Sequence, residues 1–131
     1  MSEPYPPRVL LAESDGDARR ALALLLQTAL GVVVVAEAAD LTGLGTPGAE
    51  QADILLIDWA GIAASAPQVF ARLHALNSHL GVIVLSTRPE DAPAALRAGA
   101  DAFISKLDAP ARVLAIVRGV LEARGGTRRS R

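Results

Sequence analysis

Residues 54–58 read Ile54-Leu55-Leu56-Ile57-Asp58, four apolar side chains in a row closed by an acid. A run this short, with no polar alternation, suits a strand covered on both faces, as in a parallel sheet. Four further runs are of the same kind: Val9-Leu10-Leu11-Ala12, Val32-Val33-Val34-Val35-Ala36, Val82-Ile83-Val84-Leu85 and Ala102-Phe103-Ile104. Between and after them, apolar residues recur at helical spacing. The stripes are Ala18, Leu22, Leu25, Leu26 and Ala29; Val69, Leu73 and Leu76; Ala92, Ala95, Leu96 and Gly99; and Val113, Ile116, Val117, Val120 and Leu121. Five repeats of strand then helix imply a three-layer α/β fold with right-handed crossovers. In such a fold the ligand site lies at the carboxyl ends of the strands, where the strand order reverses.

Several helix starts are marked. Ser14 with Asp17, Ser65 with Gln68 and Thr87 with Glu90 have capping-box spacing, and Asp108 precedes Pro110 as a cap would. Leu41 to Gln51 is the exception. Gly43, Gly45, Pro47 and Gly48 disfavour a regular helix, so the second helix should be short or distorted.

Composition narrows the function classes. The 131 residues make one domain, and 51% are hydrophobic, enough for one core. With 3% aromatics, that core must be aliphatic. A net charge of -1 gives no global field for nucleic acid. The absence of cysteine rules out disulfides and thiolate zinc sites. His74 and His79 fall in one short stretch that reads as a helix end and its loop. No apolar run approaches the ~20 residues of a membrane span, and no secretory signal pattern is present. A cytoplasmic protein with no membrane partner is expected. The domain should span 8–124, between a flexible lead-in at 1–7 and a basic flexible tail at 125–131.

The strand ends carry the chemistry. The first strand ends in Glu13-Ser14-Asp15, the third in Asp58 and the fourth in Ser86-Thr87; Lys106 follows the fifth. Carboxylates set side by side repel unless a cation joins them, and magnesium, a hard ion with oxygen ligands, is the natural one. A lysine opposite can neutralise a phosphoryl oxygen. An acid, a metal, a hydroxyl and a lysine suit phosphoryl transfer to a carboxylate. Taken singly, each residue has a plain structural explanation as a cap or a solvated side chain. Lys106 stands apart as the chain's only lysine among twelve arginines.

The runs ending in Glu13, Asp58 and Ser86, with Ala98-Gly99-Ala100-Asp101-Ala102-Phe103-Ile104-Ser105-Lys106, resemble receiver domains of two-component response regulators, nearest those that precede helix-turn-helix output domains. The likeness runs from about Arg8 to Ala123. It implies a flavodoxin-like (βα)5 fold with strand order 2-1-3-4-5 and a signalling module rather than an enzyme. It implies Asp58 as phosphoacceptor, Lys106 and Ser86 as partners of the phosphoryl group, and Phe103 as the switch aromatic. Glu13, Asp58 and the backbone carbonyl of Ala60 would hold magnesium. A histidine kinase would be the donor. A homodimer through the face of the fourth helix, fifth strand and fifth helix is a further implied partner. DNA would be reached only through an output domain.

Two positions depart from the pattern. Ser14 stands where the family has a second acid, an atypical metal ligand, so magnesium binding should be weak. Trp59-Ala60-Gly61-Ile62 replaces the usual loop, with Trp59 expected to pack against the third helix. These departures support an alternative, a pseudo-receiver that binds partners with weak or no phosphorylation. A flavodoxin-like cofactor binder fits poorly, because Glu13-Ser14-Asp15-Gly16 brings two acids and one glycine where a phosphate loop is needed.

Overall fold

The computed structural model describes residues 5–44 and 46–129. Five parallel strands form one sheet: β1 (Arg8–Ala12), β2 (Val33–Ala38), β3 (Ile54–Asp58), β4 (Gly81–Ser86) and β5 (Ala102–Ser105), in the order β2-β1-β3-β4-β5. The helices are α1 (Gly16–Leu30), α2 (Leu41–Leu44), α3 (Thr46–Gln51), α4 (Ala66–Leu76), α5 (Ala92–Ala98) and α6 (Pro110–Arg129). This is the expected doubly wound, flavodoxin-like receiver topology. The chain turns from β1 to one side for β2 and to the other for β3, so strand order reverses between β1 and β3. Their registers pair Val9 with Ile54 and Ala12 with Ile57. The residues that follow, Glu13 and Asp58, therefore leave the sheet at neighbouring points.

Alternate side chains of the strands feed two aliphatic layers. Leu10, Leu55, Ile57, Val82 and Val84 face one layer with Trp59, Phe70, Leu73 and Ala95. Val9, Leu11, Ile54, Leu56, Ile83 and Leu85 face the other with Leu26, Val113 and Val117. β3 and β4 are buried almost throughout, as their sequences require. β2 is different. It starts one residue later than its valine run, and Val33 is 44% exposed. An edge strand is covered less than a central one, so a β-branched run does not by itself mean burial on both faces.

Where the sequence predicts a short or distorted second helix, helical backbone is described over α2 and α3, and Gly45 between them lies outside the described residues. Gly48 in α3 lies so close to β1 that a Cβ there would meet Leu10 Cδ2 at 3.1 Å. Gly99 ends α5 at φ 120, where its N–H bonds to the carbonyls of Ala95 and Leu96.

The marked helix starts fare less well. Asp15, not Ser14, caps α1, its carboxylate accepting from the N–H groups of Asp17 and Ala18. Ser65 precedes α4 without a side-chain cap bond. Thr87 caps nothing, since the turn after β4 begins at Pro89 following Arg88. Asp108 Oδ2 instead accepts from Ser105 N at 3.0 Å. Spacing alone does not reveal which hydroxyl or carboxylate has a better partner elsewhere.

Of the segment read as a lead-in, Met1–Pro4 lies outside the described residues, and Pro7 O already accepts from Val33 N at 2.9 Å. At the other end, helical backbone continues through the segment read as a tail as far as Arg129. Extending an existing helix gains one hydrogen bond per residue fixed, which carries it past Gly125 and Gly126. Ser130 and Arg131 lie outside the described residues. Among the described residues, no helix is long and apolar enough to cross a membrane.

Candidate functional site

Glu13 extends β1 by one bond, its N–H donating to Ala38 O at 3.0 Å, and its side chain is buried. Both carboxylate oxygens are engaged. Oε2 accepts the Asp15 N–H at 2.8 Å, and Oε1 lies 2.7 Å from Lys106 Nζ. Asp58, last in β3, keeps more contact with solvent. Its Oδ2 accepts the Ser14 hydroxyl at 3.0 Å and lies 3.2 Å from Lys106 Nζ. The ammonium thus bridges the two carboxylates.

Lys106 is positioned by its own backbone, whose N–H donates to Ser86 O at 2.8 Å, one residue beyond the Ser86–Ser105 pairing of β4 with β5. Burial alone would lower the pKa of its amine. The hydrogen bonds to Glu13 and Asp58 and the charges of both outweigh that, and hold the amine above its ordinary value. Arg19 supports the same corner from α1. Its Nη1 donates to Glu13 O at 2.8 Å, and its Nε lies 3.3 Å from Glu37 Oε1 on β2.

Glu13, Ser14, Asp58 and Lys106 are therefore brought together. Ser86 ends β4 on the same edge but turns aside: its hydroxyl donates to Asp91 Oδ2 at 2.8 Å and accepts the Arg88 N–H at 3.0 Å. Phe103 is half-buried on β5 against the layer that contains Trp59 and Phe70. Trp59 packs into that layer with Ala66 and Phe70 of α4, as the sequence suggested. Ala60 is exposed in the turn Trp59–Gly61 directly after Asp58. Asp15 is committed to capping α1. The sequence reading missed Asp91 and Arg19, and no spacing rule points to either.

The donor set fits a divalent metal poorly. Among the described residues, no group of three or more His, Asp or Glu side chains is placed to hold an ion. Ser14 offers a neutral hydroxyl, both Glu13 oxygens are taken, and a cation from the chain already sits between the acids. What the site offers is a carboxylate at a strand end with a fixed positive charge beside it, an arrangement suited to accepting an anionic group.

Comparison with known proteins agrees with the fold. The family described as the response regulator receiver domain matches residues 9–118. No curated protein matches. Among solved structures, a CheY-like response regulator receiver domain protein from Methanospirillum hungatei JF-1 is similar with TM-score 0.74 and 22% identity, over 94% of this chain and 99% of that one. The signal receiver domain of the putative response regulator NarL from Mycobacterium tuberculosis aligns with TM-score 0.69 and 23% identity, over 94% and 99%. A LuxR family DNA-binding response regulator from Silicibacter pomeroyi aligns with TM-score 0.70 and 27% identity, over 89% and 93%. With a family match across most of its length and the strand order of that fold, the chain belongs to the response regulator receiver domains of two-component systems.

Proposed function

We propose that this receiver accepts a phosphoryl group on Asp58 from a histidine kinase in the cytoplasm, and signals by changing its partner contacts. The observation that carries the reading is the Lys106 ammonium, 3.2 Å from Asp58 Oδ2 at the open end of the sheet. In the transfer an Asp58 oxygen bonds to phosphorus as the bond from phosphorus to the donor histidine nitrogen breaks. Lys106 then neutralises a phosphoryl oxygen. The contacts that respond lie on α5, β5 and α6, the fourth helix, fifth strand and fifth helix of the fold, and a second copy of the chain is one partner.

Incubated with a small acyl phosphate, the protein should gain one phosphoryl group by intact mass, and Asp58→Asn none. Equal labelling of both would place the acceptor elsewhere. Sedimentation of the labelled protein tests the partner face: a monomer with and without the phosphoryl group removes self-association from the reading.

Receiver domains generally bind magnesium at this site, and the reading gives this one weak affinity because Ser14 replaces a carboxylate. Ser14→Asp is expected to tighten magnesium binding by about tenfold or more, the scale on which changes around a metal alter its affinity. Titration calorimetry reads this directly. Equal affinities would show that Ser14 is not the limiting group.

A second reading has its own support. Glu13, Ser14, Asp58 and Lys106 satisfy one another without any added ion. That closure favours a pseudo-receiver, a partner-binding module with little phosphorylation. Absence of labelling at every magnesium concentration would select it.

A further inference from the structure

We propose that Asp91 is the positioning residue that holds Ser86 in its resting orientation, so that a phosphoryl group on Asp58 gains the Ser86 hydroxyl only by taking it from Asp91. The inference rests on the phosphoacceptor reading of Asp58 and names a control on that same site.

A serine hydroxyl has one proton to donate. Ser86 is 6% exposed, and it donates that proton to Asp91 Oδ2 at 2.8 Å. It cannot also donate to an oxygen bound to Asp58. The remaining partner of the hydroxyl, the Arg88 N–H at 3.0 Å, fixes it from the other side. The bond to Asp91 is to a charged acceptor, the stronger kind of hydrogen bond.

Asp91 has no other evident task in the helix it precedes. It stands immediately before α5, where an aspartate ordinarily accepts the first free N–H groups. Its side chain makes no such cap bond. The carboxylate points instead to Ser86, with Arg88 Nε 3.7 Å from its other oxygen. Arg88 is largely exposed, so that ion pair steers the carboxylate more than it stabilises the fold. Because no cap is lost, Asp91→Ala should fold normally.

Two measurements test the proposal. The first uses beryllofluoride, a phosphoryl mimic, titrated in excess magnesium and followed by Trp59 emission. Asp91→Ala is expected to bind it about tenfold more tightly, the scale of a hydrogen bond to a charged group. Asp91→Asn, which keeps a neutral acceptor, should fall between. In a Ser86→Ala background the same change should have no effect, since Asp91 acts through the hydroxyl. An equal gain with Ser86→Ala would mean that Asp91 acts by its charge alone, and would overturn the proposal. The second measurement needs no ligand. Scalar couplings of the Ser86 β-protons report its side-chain rotamer, which should be single in the parent and redistributed in Asp91→Ala. An unchanged rotamer overturns the proposal. If the parent binds no beryllofluoride, the phosphoacceptor reading fails, and the rotamer alone decides for or against Asp91.

Discussion

Lys106→Met is expected to lower the free energy of unfolding by about 3 kcal/mol, at the low end of what breaking a buried ion pair costs. The methionine keeps most of the apolar stem and removes only the charge. What remains is Glu13, 2% exposed, with its carboxylate stripped of the ammonium 2.7 Å away. One hydrogen bond survives, from Asp15 N, and Lys106 itself is 24% exposed. Both facts hold the loss below that of a fully enclosed pair. Urea denaturation checks the value, and Glu13→Gln in the same background supplies the control. Removing the orphaned charge should recover more than half of the loss. A methionine variant as stable as the parent would mean that water reaches Glu13 freely. The size of the effect says nothing in favour of the pair over an apolar replacement of both partners, which can be neutral.

The second large effect belongs to the other side of the sheet edge. Phe70→Ala should cost about 3–5 kcal/mol, the usual range for deleting a buried phenyl ring. Phe70 is one of two phenylalanines in the chain, is 2% exposed, and joins α4 to the layer formed by Leu55, Ile57, Val82 and Val84. Its ring also lies against the Gly99 turn, so that a Cβ on Gly99 would stand 3.6 Å from Cδ2. Few side chains in this aliphatic core could fill the hole. Against a total stability of roughly 5–15 kcal/mol for a domain, the loss removes from about a fifth of the stability to nearly all of it. Calorimetry and urea titration should both register it. Phe70→Leu, which keeps part of the volume, should cost about half as much.

The architecture was legible because its signal is periodic. Four of the five strands lie within a residue or so of their apolar runs. What could not be read was the choice among partners that spacing leaves equivalent. Ser14 and Asp15 are both good capping residues, and only the closeness of Asp58 decides that serine turns to the site while aspartate caps α1. Burial of β2 was overestimated because a valine run is the same at an edge as at the centre. At the site, Glu13, Asp58, Ser86 and Lys106 were placed on one sheet edge by topology alone. That Lys106 would span both acids, and that Ser86 would turn toward Asp91, are matters of rotamer and loop path, which one-dimensional pattern does not encode.

The solitary lysine has a chemical corollary. Every other basic side chain that carries nitrogen charge here is a guanidinium or an imidazole, so the chain owns a single ε-amine. Acylating reagents, lysine-directed crosslinkers and enzymes that modify lysine have one side-chain target, and it is the group that binds two carboxylates together. Where most domains could absorb such a change on their periphery, this one has concentrated its whole side-chain amine chemistry at the mouth of its site.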